Sequence, residues 1–348
     1  MTLFEETFDF EGIIGHREVL DLLERDATDP TQTYLFLGPS GVGKATVARR
    51  FAARLIGGDD TDARRRVVGG VHPDLVVVQP EGRTSLTVDQ ARATVARAVL
   101  APVEAARKVI LIEDAGAMTD EAANALLKTL EEPSETTVFV LAAETEDDLP
   151  ATVASRSRIV RFGRVSDDEI EAALTAQGVD PEQAGRVAVT AAGRPGIAFL
   201  LATRPEVAAF RQAWLSVPGR LDEQPGVAYR LAAELIDAAQ PLLEGIADGQ
   251  ADDDAGKERI ARERKRAAAA LHVGGLEVLA SWYRDAAAAQ FGAPVRNRDV
   301  AGADLAGVAA ATAVARAKRV LETIESLDAN QRPDLAFAAL FSDLGSPA

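Results

Sequence analysis

Tyr34-Leu35-Phe36-Leu37-Gly38-Pro39-Ser40-Gly41-Val42-Gly43-Lys44-Ala45-Thr46 runs from an apolar stretch into a glycine-rich loop and on into a helical pattern. In the order strand, loop, helix, the glycines let backbone N–H groups curl around phosphate oxygens, and the helix N-terminus adds positive potential. Lys44 in this pattern reaches the outer phosphates. A tight turn without a ligand is the bland alternative for the same spacing. One side chain departs from the pattern. Ala45 stands where a Ser or Thr hydroxyl binds Mg²⁺, and Thr46 is turned about 100° further around the helix.

Outward from the loop, short apolar runs at Leu75 to Val78, Lys108 to Ile112, Thr137 to Leu141 and Arg158 to Phe162 alternate with helical patterns. Lys44 to Leu55, Val88 to Val99 and Asp120 to Leu130 are examples. Such alternation predicts an α/β domain, a parallel sheet covered by helices on both faces. The strand Val109-Ile110-Leu111-Ile112 ends in Glu113-Asp114. ATP-hydrolysing loops use Asp then Glu here, the first for the metal and the second for the attacking water. Reversal displaces both carboxylates, and misplacement by about 1 Å can cost on the order of 100-fold in rate. Ala142-Ala143 ends the next strand without a group to orient that water. The sequence therefore predicts nucleotide binding with weak magnesium coordination and little turnover.

Beyond Phe162 the strand signals stop. Asp167 to Ala176 and Pro181 to Ala191 read as a small helical unit closed by a turn at Gly193-Arg194-Pro195-Gly196. From about residue 208 the pattern is helical throughout, interrupted by an acidic loop expected over Asp248 to Gly256. Lys257 to Arg266 is rich in basic residues with Glu258 and Glu263 interleaved. It reads as a solvated helix face, with contact to DNA or an acidic partner as the sharper alternative. The net charge is −16, from 38 basic and 54 acidic side chains. That argues against a protein that grips DNA unaided. No cysteine is present, which excludes disulfides and thiolate metal sites and fits a cytoplasmic setting. His16, His72 and His272 are too scattered to suggest a metal cluster. Met1 to Phe10 lacks the features of a signal peptide, and no apolar run has the length of a membrane span.

The segment Ala123-Asn124-Ala125-Leu126-Leu127-Lys128-Thr129-Leu130-Glu131-Glu132-Pro133 resembles the hallmark of bacterial clamp-loader subunits of the AAA+ class. Ser155-Arg156-Ser157 resembles that family's serine-arginine-cysteine motif, with Ser157 in place of the cysteine. His72-Pro73-Asp74, Ser281-Trp282-Tyr283-Arg284-Asp285 and the stretch Asn330 to Leu335 are similar to the delta-prime branch rather than the tau/gamma branch. The resemblance implies an AAA+ P-loop domain over 1–163, a helical lid over 164–207 and an all-α collar over 208–348. It implies work on DNA within a hetero-oligomer of tau/gamma and delta subunits that loads the beta sliding clamp at primed sites, with no membrane. It also implies that Arg156 acts as an arginine finger toward a neighbour's ATP, the alternative being an ordinary salt bridge. The loop residues Gly38 to Thr46 with Glu113 and Asp114 would form a degenerate ATP or ADP site. Relatives carry a zinc module where this chain has Gly57 to Arg66, so no zinc is expected, and Arg64-Arg65-Arg66 read as solvated loop charges or a subunit contact. In hydrolysing relatives a sensor arginine lies near residue 196. Gly196 holds that place here, with Arg194 close by. Asn124, Lys128 and Glu131 share a helix face that either couples the nucleotide site to a neighbour or is ordinary surface. Trp282 and Tyr283 read as collar core or interface rather than a base-stacking platform. A hydrolysing tau/gamma-like subunit and a different AAA+ protein are the rival interpretations.

Overall fold

The computed structural model describes residues 9–80, 85–202, 204–244, 254–297, 299–328 and 331–346. Two compact units divide the chain, Met1–Ser166 and Asp167–Ala348. Among the described residues no helix is long and apolar enough to cross a membrane.

The first unit is built on five parallel strands, β1 (Thr33–Leu37), β2 (Leu75–Val78), β3 (Lys108–Ile112), β4 (Thr137–Ala143) and β5 (Arg158–Arg161). They lie in the order β2-β3-β4-β1-β5. Every residue of β1, β3 and β4 is buried, as expected of strands covered on both faces. Alternate side chains supply two separate cores. Tyr34, Phe36, Val109, Leu111, Val138 and Val140 pack with Phe51, Leu55 and Val67 on one face. These come from α2 (Lys44–Gly57) and α3 (Thr61–Val68), joined by Leu23 of α1 (Arg17–Asp26). Leu35, Ile110, Ile112, Phe139 and Leu141 pack on the other. There they meet Ala91 of α4 (Val88–Ala98), Leu126 of α5 (Asp120–Glu131) and Val153 of α6 (Ala151–Ala154).

The expected strands lie where the apolar runs placed them, β4 extending two residues further and β5 ending at Arg161. The segment before His72 differs from expectation. Arg64-Arg65-Arg66 lie on helix α3, because Asp60 caps it by accepting from the N–H groups of Asp62 and Ala63 at 2.9 and 3.1 Å. Arg64 is largely buried and paired with Asp9, while Arg66 pairs with Glu104 at 2.6 Å.

His72-Pro73-Asp74 turns out to be a structural knot at the end of the sheet away from the loop. The Asp74 carboxylate is fully buried and accepts from the N–H groups of Val103, Glu104 and Ala105 at 2.5 to 2.9 Å. Beside it, the Lys108 ammonium donates to the carbonyls of Arg97, Leu100 and Ala101 at 2.9 to 3.3 Å.

The second unit is helical. It begins with α7 (Asp167–Ala176), α8 (Pro181–Ala191) and α9 (Pro195–Ala202). Pro195 opens α9, so the expected turn stops at Arg194, proline being favoured at the first helical position. Then follow α10 (Glu206–Leu215), α11 (Pro225–Ala238), α12 (Gln240–Glu244), α13 (Asp254–Ala289), α14 (Gly302–Ala306), α15 (Ala310–Asp328) and α16 (Pro333–Gly345). The expected acidic loop lies outside the described residues as far as 253, and from Asp254 the chain is already helical. Trp214 is the hub of this unit. It meets Phe337 edge-on at 5.3 Å and lies near Phe210 and Phe341. Trp282 and Tyr283 are buried on α13, which makes them core; burial pushes the Tyr283 hydroxyl up to about 12 against the lowering effect of Arg316. Near them Asp285, fully buried, accepts from the N–H groups of Arg296 and Asn297 at 3.0 and 2.7 Å. Arg211 in turn donates to Asn297 at 2.6 Å and pairs with Asp299.

Candidate phosphate-loop site

Three strand ends bring the loop together. Gly38 leaves β1 with φ 149°, and its N–H donates to Glu144 O, just past β4, at 3.1 Å. A Cβ on Gly38 would lie 2.3 Å from Phe162 O, so only glycine fits. Gly41 and Gly43 also have positive φ, at 80° and 107°. Gly43 opens α2 with no side-chain cap, so the N–H groups of the first turn keep no protein side chain as acceptor. Behind the loop His16 braces it, its Nε2 donating to Val42 O at 2.8 Å and its ring meeting Phe162 at 5.1 Å. No local pattern points to this role for His16, since its partner lies on a distant segment.

The Lys44 ammonium folds onto its own loop, donating to the carbonyls of Gly38 and, at 2.9 Å, Pro39. Burial lowers its pKa, opposed by the carboxylates of Glu144, Asp114 and Asp148. A phosphate would draw this ammonium off two carbonyls. The geometry can cradle phosphate oxygens.

The metal side of the site is different. Ala45 has no hydroxyl, and Thr46 is exposed while Val47 and Ala48 are buried, so its hydroxyl points away from the core face of α2. Glu113 is already engaged. Its Oε1 accepts from Arg49 Nε at 2.6 Å and pairs with Arg49 Nη2 at 2.6 Å, while its Oε2 accepts from Gln79. Asp148 is committed to the N–H groups of Glu144 and Thr145 at 3.0 and 2.8 Å. Among the described residues no three His, Asp or Glu side chains converge as a metal-ligand set. These residues suit a phosphate and do not suit a divalent cation.

Arg156 lies just after α6. Its guanidinium donates to Thr152 O at 3.1 Å and pairs with Glu131 of α5 at 3.0 Å, both side chains about two-fifths exposed. Glu131, Lys128 and Asn124 are all exposed along α5. Ser157 donates to Val153 O at 2.8 Å. In the second unit Arg194 is buried and pairs with Glu277 of α13 at 3.6 Å.

A family model described as DNA polymerase III, delta subunit matches residues 15–166. Over 132 residues the chain is 39% identical to DNA polymerase III subunit delta-prime of Pseudomonas aeruginosa, covering 35% of this chain and 40% of that one. Subunit delta-prime of Bacillus subtilis is 35% identical over 161 residues, 44% of this chain and 49% of that one. Subunit tau of Bacillus subtilis is 29% identical over 184 residues, 50% of this chain and 32% of that one. The chain thus spans less than half the length of these curated relatives. Strand order, phosphate loop and the α5 motif define a P-loop protein of the AAA+ type followed by a helical region. Within that class, residues 15–166 match the family described as DNA polymerase III, delta subunit, and the chain is similar there to delta-prime subunits and to tau.

Proposed function

We propose that this chain works as the delta-prime member of a clamp loader in DNA replication, with tau/gamma and delta subunits as partners. In that assembly it would hold ATP or ADP without turning it over efficiently, and help place the beta sliding clamp on primed DNA. Residues 164–207 would serve as the lid and 208–348 as the collar that joins the subunits. Arg156 would reach a neighbour's ATP and stabilise charge on the transferred phosphoryl group.

One observation carries this proposal. The phosphate side of the loop is intact while its hydrolytic side is dismantled, with Ala45 lacking a hydroxyl and Glu113 bound to Arg49 and Gln79. Arg156 has the opposite character. Its pairing with Glu131 is exposed, and pairs of that kind are worth roughly 0–1 kcal/mol, so the guanidinium is readily given up to a stronger anion.

The test is a reconstituted loader carrying Arg156→Ala. Assembly should persist, and turnover at the site served by the finger should fall by a factor approaching the ~10³–10⁵ such arginines contribute. Full turnover in a correctly assembled complex would remove the assignment. A tau/gamma-like ATPase is the rival, and brisk phosphate release from the isolated chain would favour it.

A further inference from the structure

Arg49 lies one helical turn beyond Ala45 on α2, so the two share a face, and long helical side chains lean back toward the N-terminus. The guanidinium therefore extends toward the ground where a hydroxyl at position 45 would stand, and there it grips Glu113 through two nitrogens at 2.6 Å. Glu113 is only 7% exposed and its second oxygen accepts from Gln79. The network continues, since Gln79 O accepts from Gln90 Nε2 at 2.7 Å, and Gln90 closes the capping box of α4. A cation seeking Glu113 would have to displace the two-nitrogen pair with Arg49 and the hydrogen bond from Gln79, and would find no hydroxyl on the other side.

We infer that the loop takes its nucleoside di- or triphosphate free of any divalent cation, Arg49 cancelling the Glu113 charge that a metal ion would otherwise have to offset. This rests on the proposal that the loop holds nucleotide at all. Arg49 is thus a positioning residue. It keeps the Glu113 carboxylate neutralised and, with Gln79, hydrogen-bonded on both oxygens, so a polyanion meets less repulsion without a metal to screen it.

The test is fluorescence titration of the full chain with a methylanthraniloyl-labelled ADP, in excess Mg²⁺ and in EDTA. The two Kd values should agree within about twofold. Loss of about tenfold or more in EDTA overturns the inference but leaves the loop a nucleotide site. Absence of binding under both conditions overturns both, leaving Arg156 to its separate test. Arg49→Ala frees the carboxylate, so binding in EDTA should weaken about tenfold and Mg²⁺ should restore part of it. Ala45→Thr added to Arg49→Ala should give the largest Mg²⁺ dependence. Should Arg49→Ala fail to fold by circular dichroism, Glu113→Gln is the second variant. By removing a negative charge it should tighten binding in EDTA, and weaker binding in Mg²⁺ would mark Glu113 as a metal ligand and end the proposal.

Discussion

Asp74 holds three main-chain N–H groups with two oxygens and no exposure to water. Burial pushes its carboxyl up, but the three donors outweigh burial and hold it below the usual carboxylate range. Asp74→Ala would leave those donors buried without an acceptor, at about 1–3 kcal/mol for each that finds no water. We expect a loss of about 3 kcal/mol in the first unit, and faster hydrogen exchange at the amides of 103–105; unchanged protection there would show that the knot holds without the carboxylate. Asp74→Asn keeps an acceptor and should cost less. His72-Pro73-Asp74 was legible in the sequence as a family resemblance, whereas its physical work was not. The three amides lie some thirty residues downstream, and nothing in local pattern points to them.

At the scale of elements, α13 carries Gly274-Gly275 in mid-helix, where glycine costs roughly 1 kcal/mol against alanine. The reason is packing. A Cβ on Gly275 would sit 2.0 Å from the Trp214 ring, and one on Gly274 would meet Thr190 O at 2.9 Å. Gly275→Ala should therefore destabilise the second unit by about 1–3 kcal/mol despite its better helix propensity, measurable as a lowered midpoint in urea followed by tryptophan fluorescence. A rise in the midpoint would mean that the indole can move aside. Helix α3 escaped prediction for a related reason: its arginines suggested solvent, while the cap at Asp60 and the burial of Ala63 and Val67 decide the structure. By contrast, β1, β3 and β4 were legible almost to the residue, because strands buried on both faces read as unbroken apolar runs.

For the molecule as a whole, each unit encloses a histidine whose ring is held below its ordinary pKa. For His72 burial is the main cause, reinforced by Arg66 and opposed by Asp74 and Glu104. For His272 burial alone acts, beside the ring of Phe337 at 5.6 Å. Because the folded-state values lie below the ordinary histidine value of 6.5, the unfolded chain binds more protons as pH falls below that value, and stability declines. Asp74, depressed from 3.8, adds its contribution above that value and loses it only as pH drops further, through its own folded-state pKa. Melting temperature should thus fall between pH 7 and pH 5, and His272→Gln should flatten part of that slope; a flat profile in the parent chain would contradict the assignment.

The loop and the α5 motif were readable from sequence, but the site's charge arrangement was not. The Arg49–Glu113 pair joins residues far apart in the chain, and the ring of His16 meets Val42 only after folding.

The segment before β3 has a practical use. Its backbone is tied down at 103–105 by Asp74, while the Val103 side chain is 71% exposed. Since the chain contains no cysteine, Val103→Cys would introduce a unique thiol on a fixed backbone, a ready attachment point for a dye that reports motion of this domain.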